Sequence, residues 1–249
     1  MSYSLPYYRD AGQLPGPLPD QNEIERATRI LPKISDYGGR LVVIRDIYVV
    51  KYGPLVTENE GYALLFVEKR LNVTAPRLYA MYRNQDIPYI VMEYIPGISL
   101  GTAWPSLTEA NKHSIVGQLR CIFDQMRALP SYFFSREKDP AITGPFQTEE
   151  EFGKAIALRS KIMWSESNSP SFFSDYLARH LPLALQNNPP MFTHGDLYRE
   201  NVLVRKVFNS VTNEEEYEVA ALVDWETAGW YPSYWEYAHI FPLLQWSDD

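Results

Sequence analysis

Two short motifs near the carboxyl end of the chain carry side chains that could do chemistry together. The first, the catalytic loop 194–201, places Asp196 and Asn201 five residues apart. The second begins at Asp224, 23 residues after Asn201, at the end of an apolar run. Phosphoryl transfer from a nucleotide needs one carboxylate to deprotonate a hydroxyl, and an amide and a carboxylate to hold magnesium. The spacing therefore predicts a kinase that acts on a small molecule.

The chemistry of each side chain assigns its predicted role. Asp196 is the candidate catalytic base, which orients the acceptor hydroxyl and takes its proton. Asn201 and Asp224 are the candidate magnesium ligands, because Mg²⁺ favours oxygen donors in octahedral geometry. Turn chemistry would explain Asn201 if it stood alone, but its spacing from Asp196 favours the metal role.

His194 raises the alternative of a transition-metal site. The other histidines, His113, His180 and His239, stand at no spacing that matches a second ligand. One histidine with carboxylates is a poor ligand set for zinc or iron. We therefore expect His194 to be a structural imidazole that bonds to the backbone of the catalytic loop.

The composition limits the classes of protein to consider. With 249 residues, 45% of them hydrophobic, the chain can bury one large core or two modest ones. The formal net charge of −8 disfavours a nucleic-acid binder, which usually presents a basic face. The apolar runs are too short to span a bilayer and no signal peptide is recognisable, so the cytosol is the expected location. The single cysteine, Cys121, is expected to be a buried thiol on the apolar face of a helix.

The first part of the chain predicts a small sheet that carries one helix. Runs rich in β-branched and aromatic residues indicate strands, and apolar residues at helical spacing indicate helices. The expected elements are an extended arm over 1–20, a helix over 24–31, a hairpin over 41–52, a helix over 58–69 and a strand pair over 77–94.

From Ile95 onward the pattern is typical of helices. Capping boxes that begin at Ser106 and Thr148 predict two helix starts. A third helix is expected over 172–185, with Pro182 as a point of interruption. Two short strands, 201–206 and 218–223, are expected on either side of an acidic loop at 213–216.

This order of elements predicts an α+β fold with two lobes. Residues 1–94 would form an N-terminal arm and a β-rich nucleotide-binding lobe. Residues 95–249 would form a larger helical lobe for catalysis and acceptor binding. The predicted boundary lies where the β-rich pattern gives way to the helical one.

Four stretches occur in the order that a known family shows: Val50–Gly53, Val91–Gly97, Phe192–Leu197 and Asp224–Pro232. The chain resembles the aminoglycoside phosphotransferase and choline kinase superfamily, a branch of the protein-kinase-like fold, and looks closest to its fungal members. The resemblance runs from about residue 40 to about residue 240. It implies transfer of the γ-phosphate of ATP, with Mg²⁺, to a hydroxyl of a small metabolite.

The resemblance also implies a phosphate-binding lysine. Lys51 would contact the α- and β-phosphates of ATP and pair with an acid on the following helix. Glu60 matches the family position best, with Glu58 as the rival. A lysine on an edge strand that faces water is the alternative explanation of Lys51.

The same resemblance places the hinge of the nucleotide site at Glu93, Tyr94 and Ile95. Backbone groups of these three residues would meet the adenine edge. ATP would then lie between the lobes, and the acceptor on the helical side.

The segment after Asp224 leaves alternatives open. Glu226 could reach a second magnesium ion or bond to the catalytic loop, whereas Glu236 is expected to anchor its own segment. An aromatic cluster could stack on an acceptor or on a quaternary ammonium group, or could simply belong to the core. Its members are Trp225, Trp230, Tyr231 and Trp235.

Two features depart from the family pattern. No G-x-G-x-x-G motif precedes Lys51, only the glycine pair at 38–39, and residues 198–200 replace the small residue and proline of relatives. A bulky Tyr198 could narrow the acceptor site. These departures motivate a second hypothesis, a pseudokinase that binds nucleotide or a partner without catalysis. A protein kinase is disfavoured, since no Ala-Pro-Glu segment follows Asp224. The acceptor and the oligomeric state stay open.

Overall fold

A computed structural model describes residues 5–31, 39–130, 146, 148–166, 172–184, 186–209 and 214–240 of the chain. In chain order the elements are β1 (Tyr7–Tyr8), α1 (Gln21–Glu25), β2 (Arg40–Ile44), β3 (Tyr48–Tyr52), α2 (Asn59–Arg70), β4 (Leu78–Asn84), β5 (Ile87–Glu93), β6 (Ile98–Ser99), α3 (Leu100–Ala103), α4 (Glu109–Arg127), α5 (Glu149–Glu166), α6 (Phe172–Ala184), β7 (Pro190–Thr193), β8 (Val202–Asn209), β9 (Glu214–Leu222), β10 (Gly229–Pro232) and α7 (Trp235–Ile240).

The chain divides into two compact units. The first unit comprises Met1–Gln125 and Asp196–Ala228, and the second comprises Met126–Gly195 and Gly229–Asp249. The predicted boundary between residues 94 and 95 stays a prediction. Among the described residues, no helix is both long and apolar enough to cross a membrane.

The first unit contains a five-stranded antiparallel sheet in the spatial order β1-β4-β5-β3-β2. Side chains alternate between the two faces of a strand, so Lys51 and its partner Ile90 share one face, and Val50 and Val91 share the other. Helix α2 packs on the Lys51 face, where Gly61 lies against Met81. The hairpin, the helix and the second strand pair predicted from the sequence are confirmed.

The other face of this sheet is covered by residues from the segment 5–31, which precedes β2 and includes α1; we call this whole segment the N-terminal arm. Ile24 on α1 is fully buried in a cluster with Val42, Val50 and Val91. Leu14 and Leu18 pack against the same cluster. The arm therefore belongs to the core of the first unit, since it removes apolar side chains of three strands from water.

Four tyrosines form a row across the same sheet. The ring centroids of Tyr8 and Tyr82 are 6.0 Å apart, those of Tyr82 and Tyr89 are 5.3 Å apart, and those of Tyr89 and Tyr52 are 4.9 Å apart. All three pairs are stacked. Stacked aromatic pairs on neighbouring strands stabilise a sheet beyond the area that they bury.

The helix predicted over 24–31 is wrong in its position. The Asp20 side chain accepts a hydrogen bond from the Glu23 N–H at 2.8 Å, so α1 begins earlier and is only five residues long. Residues 29–31 are drawn into the sheet instead, because the Leu31 N–H donates to the Leu41 carbonyl and the Val43 N–H donates to the Arg29 carbonyl.

The first unit also holds a three-stranded sheet in the order β6-β8-β9. Strands β8 and β9 are longer than predicted, and Glu214–Glu216 lie in β9 and not in a loop. Cross-strand polar pairs lie along the added length, where Lys206 pairs with Glu215 at 2.8 Å and Asn209 donates to Glu216 at 2.7 Å. Residue 213 lies outside the described residues.

The helix starts agree only in part with the predicted capping boxes. Thr148 caps α5 as predicted, because its hydroxyl accepts from the Glu151 N–H at 3.2 Å. Helix α4 is capped by Thr108, which accepts from the Asn111 N–H at 3.2 Å, and not by Ser106. The predicted third helix is confirmed as α6, but the predicted interruption is wrong, because Pro182 lies inside the helix and does not end it.

The prediction of a buried Cys121 is wrong, because this thiol is exposed. The buried side of α4 includes Ile115 and Met126, which lie eleven residues, or three turns, apart. Cys121 follows Ile115 by six residues and therefore lies about 240° away around the helix axis. In the second unit, β7 and β10 pair in an antiparallel sheet that the sequence pattern did not predict.

Two glycines allow the backbone after β3 to approach the backbone before β2. A Cβ on Gly39 would overlap the carbonyl oxygen of Tyr52. Gly53 has a φ of +149°, and a Cβ on it would lie 2.8 Å from the Gly39 Cα. This close approach is enough to explain the glycine at position 39, without a role in nucleotide binding.

We expect Gly39→Ala to lower the free energy of unfolding by about 1–3 kcal/mol, since the new methyl group would overlap the Tyr52 carbonyl oxygen as well as the Val56 side chain. Gly117→Ala in α4 is the matched control, because a Cβ there meets nothing within 4 Å. This control should raise stability by up to about 1 kcal/mol through helix propensity. Urea denaturation measures both variants, and equal effects would contradict the packing argument.

Candidate active site

Lys51 lies at the centre of a cluster of three carboxylates in the first unit. Strand β3 directs it toward α2, where only 5% of its surface is exposed. Its Nζ lies 2.9 Å from Glu60 Oε2, 2.7 Å from Asp224 Oδ1 and 2.9 Å from Glu226 Oε2. This arrangement rules out the alternative in which Lys51 faces water from an edge strand.

The charges in this cluster do not balance. Burial by itself would lower the pKa of Lys51, but the charges of Glu60, Asp224 and Glu226 outweigh burial, so the pKa is raised. Burial raises the pKa of Glu60, and the Lys51 ammonium opposes part of this rise. Three carboxylates around one ammonium leave an excess of negative charge, which favours the binding of a further cation.

The acid that pairs with Lys51 on α2 is Glu60 and not its rival Glu58. Glu60 lies in the first turn of the helix and is 2% exposed. Glu58 forms an ion pair with Arg83 at 2.5 Å. The neighbouring Asn59 also fixes the helix, since its amide nitrogen donates to the Glu226 carbonyl oxygen at 2.5 Å.

The loop 194–201 brings the Asn201 amide into contact with Asp196. The Asn201 Nδ2 donates to the Asp196 carbonyl oxygen at 2.7 Å and to Asp196 Oδ2 at 3.3 Å. Both bonds use the amide nitrogen, and within the described part of the chain no hydrogen bond is found to the amide oxygen. Burial raises the pKa of Asp196 and the charge of Asp224 raises it further, while the bond from Asn201 opposes the rise.

Strands β8 and β9 connect this loop to Asp224. Val202 pairs with Leu222, and the Val223 N–H donates to the Asn201 carbonyl at 2.9 Å. Asp224 itself is left-handed, with φ 65° and ψ 61°, a conformation that costs a non-glycine residue about 1–2 kcal/mol. The buried Trp225 holds this turn, because its indole N–H donates to the Leu222 carbonyl at 2.8 Å.

In the second unit, Glu236 anchors the residues that precede Asp196 in the chain. Its carboxylate accepts from the His194 N–H at 2.8 Å and from the Gly195 N–H at 3.3 Å. Both Glu236 and His194 are buried, with exposed fractions of 7% and 0%. A buried carboxylate that accepts two backbone bonds fixes the path of the chain, so Glu236 is an anchor as expected.

The three candidate hinge residues use their backbone groups differently. The Glu93 N–H donates to the Arg77 carbonyl at 2.9 Å, and the Tyr94 N–H donates to the Ile47 carbonyl at 2.8 Å. Within the described residues, the Ile95 N–H takes part in no such bond.

The donors near Lys51 fit a hard divalent cation. Glu60, Asp224 and Glu226 each offer a carboxylate oxygen, and these oxygens lie within 4.8 Å of one another. The amide oxygen of Asn201 adds a further candidate donor. A set made of oxygen atoms alone suits Mg²⁺ and is a poor match for zinc.

The four aromatic residues after Asp224 are divided between the two units. Trp225 belongs to the first unit, where it is fully buried. In the second unit, Tyr231 stacks on Trp235 with centroids 5.3 Å apart, and Phe152 meets the Trp235 ring edge-on at 5.0 Å. Trp230 is buried as well. These contacts favour the core alternative over an acceptor-binding role.

Two of the residues that depart from the family pattern contact the segment after β6. The Arg199 guanidinium carbon lies 5.3 Å from the centre of the Trp104 ring. The Glu200 carboxylate lies against Gly101, where a Cβ would overlap it. Both side chains thus hold the loop to residues 101–104.

Tyr198 is the departing residue that lies close to the charged site. Burial, followed by the charges of Asp196 and Asp224, raises the pKa of its phenol to about 12. The phenol is therefore protonated at neutral pH and can donate a hydrogen bond. The sequence alone identified Tyr198 as unusual but did not indicate that its phenol lies near the Asp196 and Asp224 carboxylates.

Comparison with protein families finds a match over most of the chain. Residues 42–249 match the family described as phosphotransferase enzyme family, abbreviated APH. No curated protein matches the sequence at a significant level.

Several solved structures share the fold at low sequence identity. A thermostable mutant of aminoglycoside phosphotransferase APH(4)-Ia, in a ternary complex with AMP-PNP and hygromycin B, gives a TM-score of 0.60 at 15% identity and covers 90% of this chain and 75% of its own. The streptomycin–ATP–APH(2″)-IIa ternary complex gives a TM-score of 0.54 at 14% identity and covers 87% of this chain and 71% of its own. ADP-bound aminoglycoside phosphotransferase APH(2″)-Ib gives a TM-score of 0.55 at 14% identity and covers 85% of this chain and 69% of its own. The predicted α+β, protein-kinase-like fold is confirmed.

We expect Lys51→Met to destabilise the protein by about 3–5 kcal/mol at neutral pH, because it leaves the buried Glu60 without its counter-ion. Without Lys51, the folded-state pKa of Glu60 rises further above its unfolded value. The folded protein then binds this proton at higher pH than the unfolded chain does, so the loss grows as pH rises and shrinks as pH falls toward the ordinary pKa of 4.5.

Urea denaturation at about pH 5 and about pH 7.5 measures this dependence. Lys206→Met is the matched control, because Lys206 pairs with Glu215 on the surface, and we expect no measurable change at either pH. A Lys51→Met loss that is the same at both pH values would contradict the charge argument.

Proposed function

The chain belongs to the phosphotransferase enzyme family, and we propose that it transfers the γ-phosphate of ATP to a hydroxyl of a small metabolite in a Mg²⁺-dependent reaction. The observation that carries the proposal is the joint placement of Lys51, Glu60 and Asp224 in one ion cluster. The pair formed by Asp196 and Asn201 is tied to this cluster through the β8–β9 ladder.

Asp196 acts as the base in the proposed reaction. Its carboxylate orients the acceptor hydroxyl and takes the proton as the oxygen attacks phosphorus. The bonds from Asn201 hold it in one position, and preorganisation of this kind reduces the entropy that the reaction must lose. A raised pKa makes its carboxylate a stronger base than an exposed aspartate.

Lys51 is the proposed contact for the phosphates, and Glu60 holds it in place from α2. Asp224 and Asn201 are the residues that would hold Mg²⁺, with Glu226 as a further donor. Bound Mg²⁺ would neutralise the charge of the phosphate groups. The excess of carboxylates over ammonium groups supports a requirement for such a cation before a nucleotide can bind.

The Ile95 N–H is the proposed donor to the adenine edge, since the N–H groups of Glu93 and Tyr94 bond within the protein. The acceptor stays a class of small molecule with a hydroxyl group. Aminoglycosides, choline-like amines, sugars and specialised metabolites are candidates, because acceptor sites diverge within one fold. The closer likeness to fungal relatives and the cytosolic location also stay predictions.

One observation favours a second candidate function, nucleotide binding without catalysis. In the described structure Lys51 already holds Asp224 and Glu226, two of the carboxylates that Mg²⁺ would need. These two ion pairs would compete with Mg²⁺ for the same carboxylate oxygens. The presence of Asp196 and Asn201 in bonded contact favours the enzyme.

We expect Asp196→Asn to reduce phosphoryl transfer by about 10²–10⁴-fold, because the amide cannot accept the proton of the hydroxyl. Nucleotide binding should survive, since the Lys51 cluster does not include this residue. An acceptor panel assayed for ADP release measures transfer. Undiminished turnover in the variant would show that another group is the base.

A thermal-shift titration separates the two candidate functions. A ligand at 100 times its dissociation constant adds about 2.7 kcal/mol of stability. A Mg²⁺-dependent shift without phosphate transfer to any acceptor would favour the non-catalytic candidate. The absence of a shift with every nucleotide would leave both candidates without support.

We expect Tyr198→Ala to change the KM for the acceptor by about tenfold while the KM for ATP changes by less than about twofold, since the phenol lies beside the proposed base and Tyr198 is not one of the proposed nucleotide contacts. Tyr198→Phe is the control that keeps the ring and removes only the hydroxyl. Steady-state kinetics with both substrates measures the two effects. Equal changes in both KM values would contradict a role confined to the acceptor.

A further inference from the structure

Arg29, in the N-terminal arm, reaches the hinge of the first unit. Its Nη2 donates to the Tyr94 hydroxyl at 2.5 Å, and its guanidinium carbon lies 4.8 Å from the centre of the Tyr94 ring. The Nη1 of the same guanidinium pairs with Asp46 in the turn between β2 and β3. One side chain therefore joins the arm, the hairpin turn and the hinge.

Backbone bonds fix both ends of this junction to the same hairpin. The Arg29 carbonyl accepts from the Val43 N–H at 2.9 Å, on β2. The Tyr94 N–H donates to the Ile47 carbonyl at 2.8 Å, directly before β3. The Arg29–Tyr94 contact closes a ring of bonds through the hairpin, so Tyr94 is held by its main chain and by its phenol at once.

We propose that Arg29 is a positioning residue for the nucleotide site, which it orders through Tyr94. This inference rests on the proposed ATP-dependent function and deepens it. The N–H proposed to meet adenine belongs to Ile95, and the peptide group that carries it begins at the Tyr94 carbonyl carbon. A rotation of Tyr94 therefore moves this donor directly, and hydrogen bonds weaken steeply with misalignment.

The role of Arg29 is orientation and not stability. The side chains of Arg29 and Asp46 are 50% and 73% exposed, and ion pairs with such exposure contribute little to folding. A bond between a guanidinium and a phenol, combined with stacking over the ring, still fixes geometry in two directions. Loss of Arg29 therefore releases the Tyr94 phenol and leaves the main-chain bond to Ile47 as its remaining restraint, without unfolding the sheet.

Arg26 offers a matched control for this proposal. It lies three residues before Arg29 and lines the same groove, which has a volume of about 360 Å³. Both residues are arginines of the arm, and the described contacts of Arg26 do not include Tyr94. Arg26→Ala thus removes the same charge from the same groove without touching the hinge.

The test measures equilibrium binding of AMP-PNP and GMP-PNP, each with Mg²⁺, to the full chain by calorimetry. We expect Arg29→Ala to weaken AMP-PNP binding by about tenfold, because Tyr94 must then be ordered when the nucleotide binds, and to reduce the preference for adenine over guanine. Arg26→Ala should change both affinities by less than about twofold.

Two further variants separate orientation from charge. Arg29→Lys keeps the ion pair to Asp46 but loses the planar fork, so we expect an intermediate affinity. In the Tyr94→Phe background, Arg29→Ala should have a smaller effect than in the wild type, because the hydroxyl that receives the bond is already absent. The melting temperature of each variant without nucleotide, measured in parallel, should stay close to that of the wild type.

The outcomes distinguish this inference from the function on which it rests. If the wild type binds neither nucleotide, the proposed function fails and the inference fails with it. If the wild type binds AMP-PNP and Arg29→Ala behaves like Arg26→Ala, the inference is overturned and the proposed function stands. If Arg29→Ala lowers the melting temperature in proportion to the affinity, its role is structural and the inference is overturned.

Discussion

The buried ammonium group of Lys51 requires the fold to bring carboxylates from distant parts of the chain into contact with it. Removing Lys51 from water is tolerable only because three carboxylate oxygens lie within 2.9 Å of it. These partners come from a helix and from the turn that follows β9, far apart in the chain. Strand β3, helix α2 and the residues at 224–226 must therefore meet in one place, and the hydrogen bonds from Asn59 and Trp225 serve the same requirement.

Local signals in the sequence predicted much of the first unit. The hairpin, α2 and the pair β4–β5 carry clear periodicity, and the spacing of the two motifs identified Asp196, Asn201 and Asp224. Short elements were missed, because β6, β7 and β10 have four residues or fewer and offer too little pattern. The predicted start of α1 was wrong, because a single hydrogen bond to the Asp20 side chain decides where that helix begins.

Long-range contacts set the limit of prediction for the candidate site. The bond between Lys51 and Asp224 joins residues 173 positions apart, and no spacing rule covers such a pair. The sequence offered two roles for Glu226, a second metal ion or a bond to the catalytic loop, and the structure adds a third, the ion pair with Lys51. Similarly, only the fold could show that Arg199 and Glu200 face residues 101–104 while Tyr198 lies beside the carboxylates.

The N-terminal arm has a consequence for how copies of the chain behave toward one another. A sheet that ends in an open strand offers unpaired N–H and carbonyl groups to any other strand, which is a common route to aggregation. Here Tyr7 and Tyr8 pair with the outer side of β4, and Ile30 bridges to Val42 on the outer side of β2. The same short stretch of chain thus shields both borders of the sheet, so it protects the folded protein against strand exchange with its neighbours.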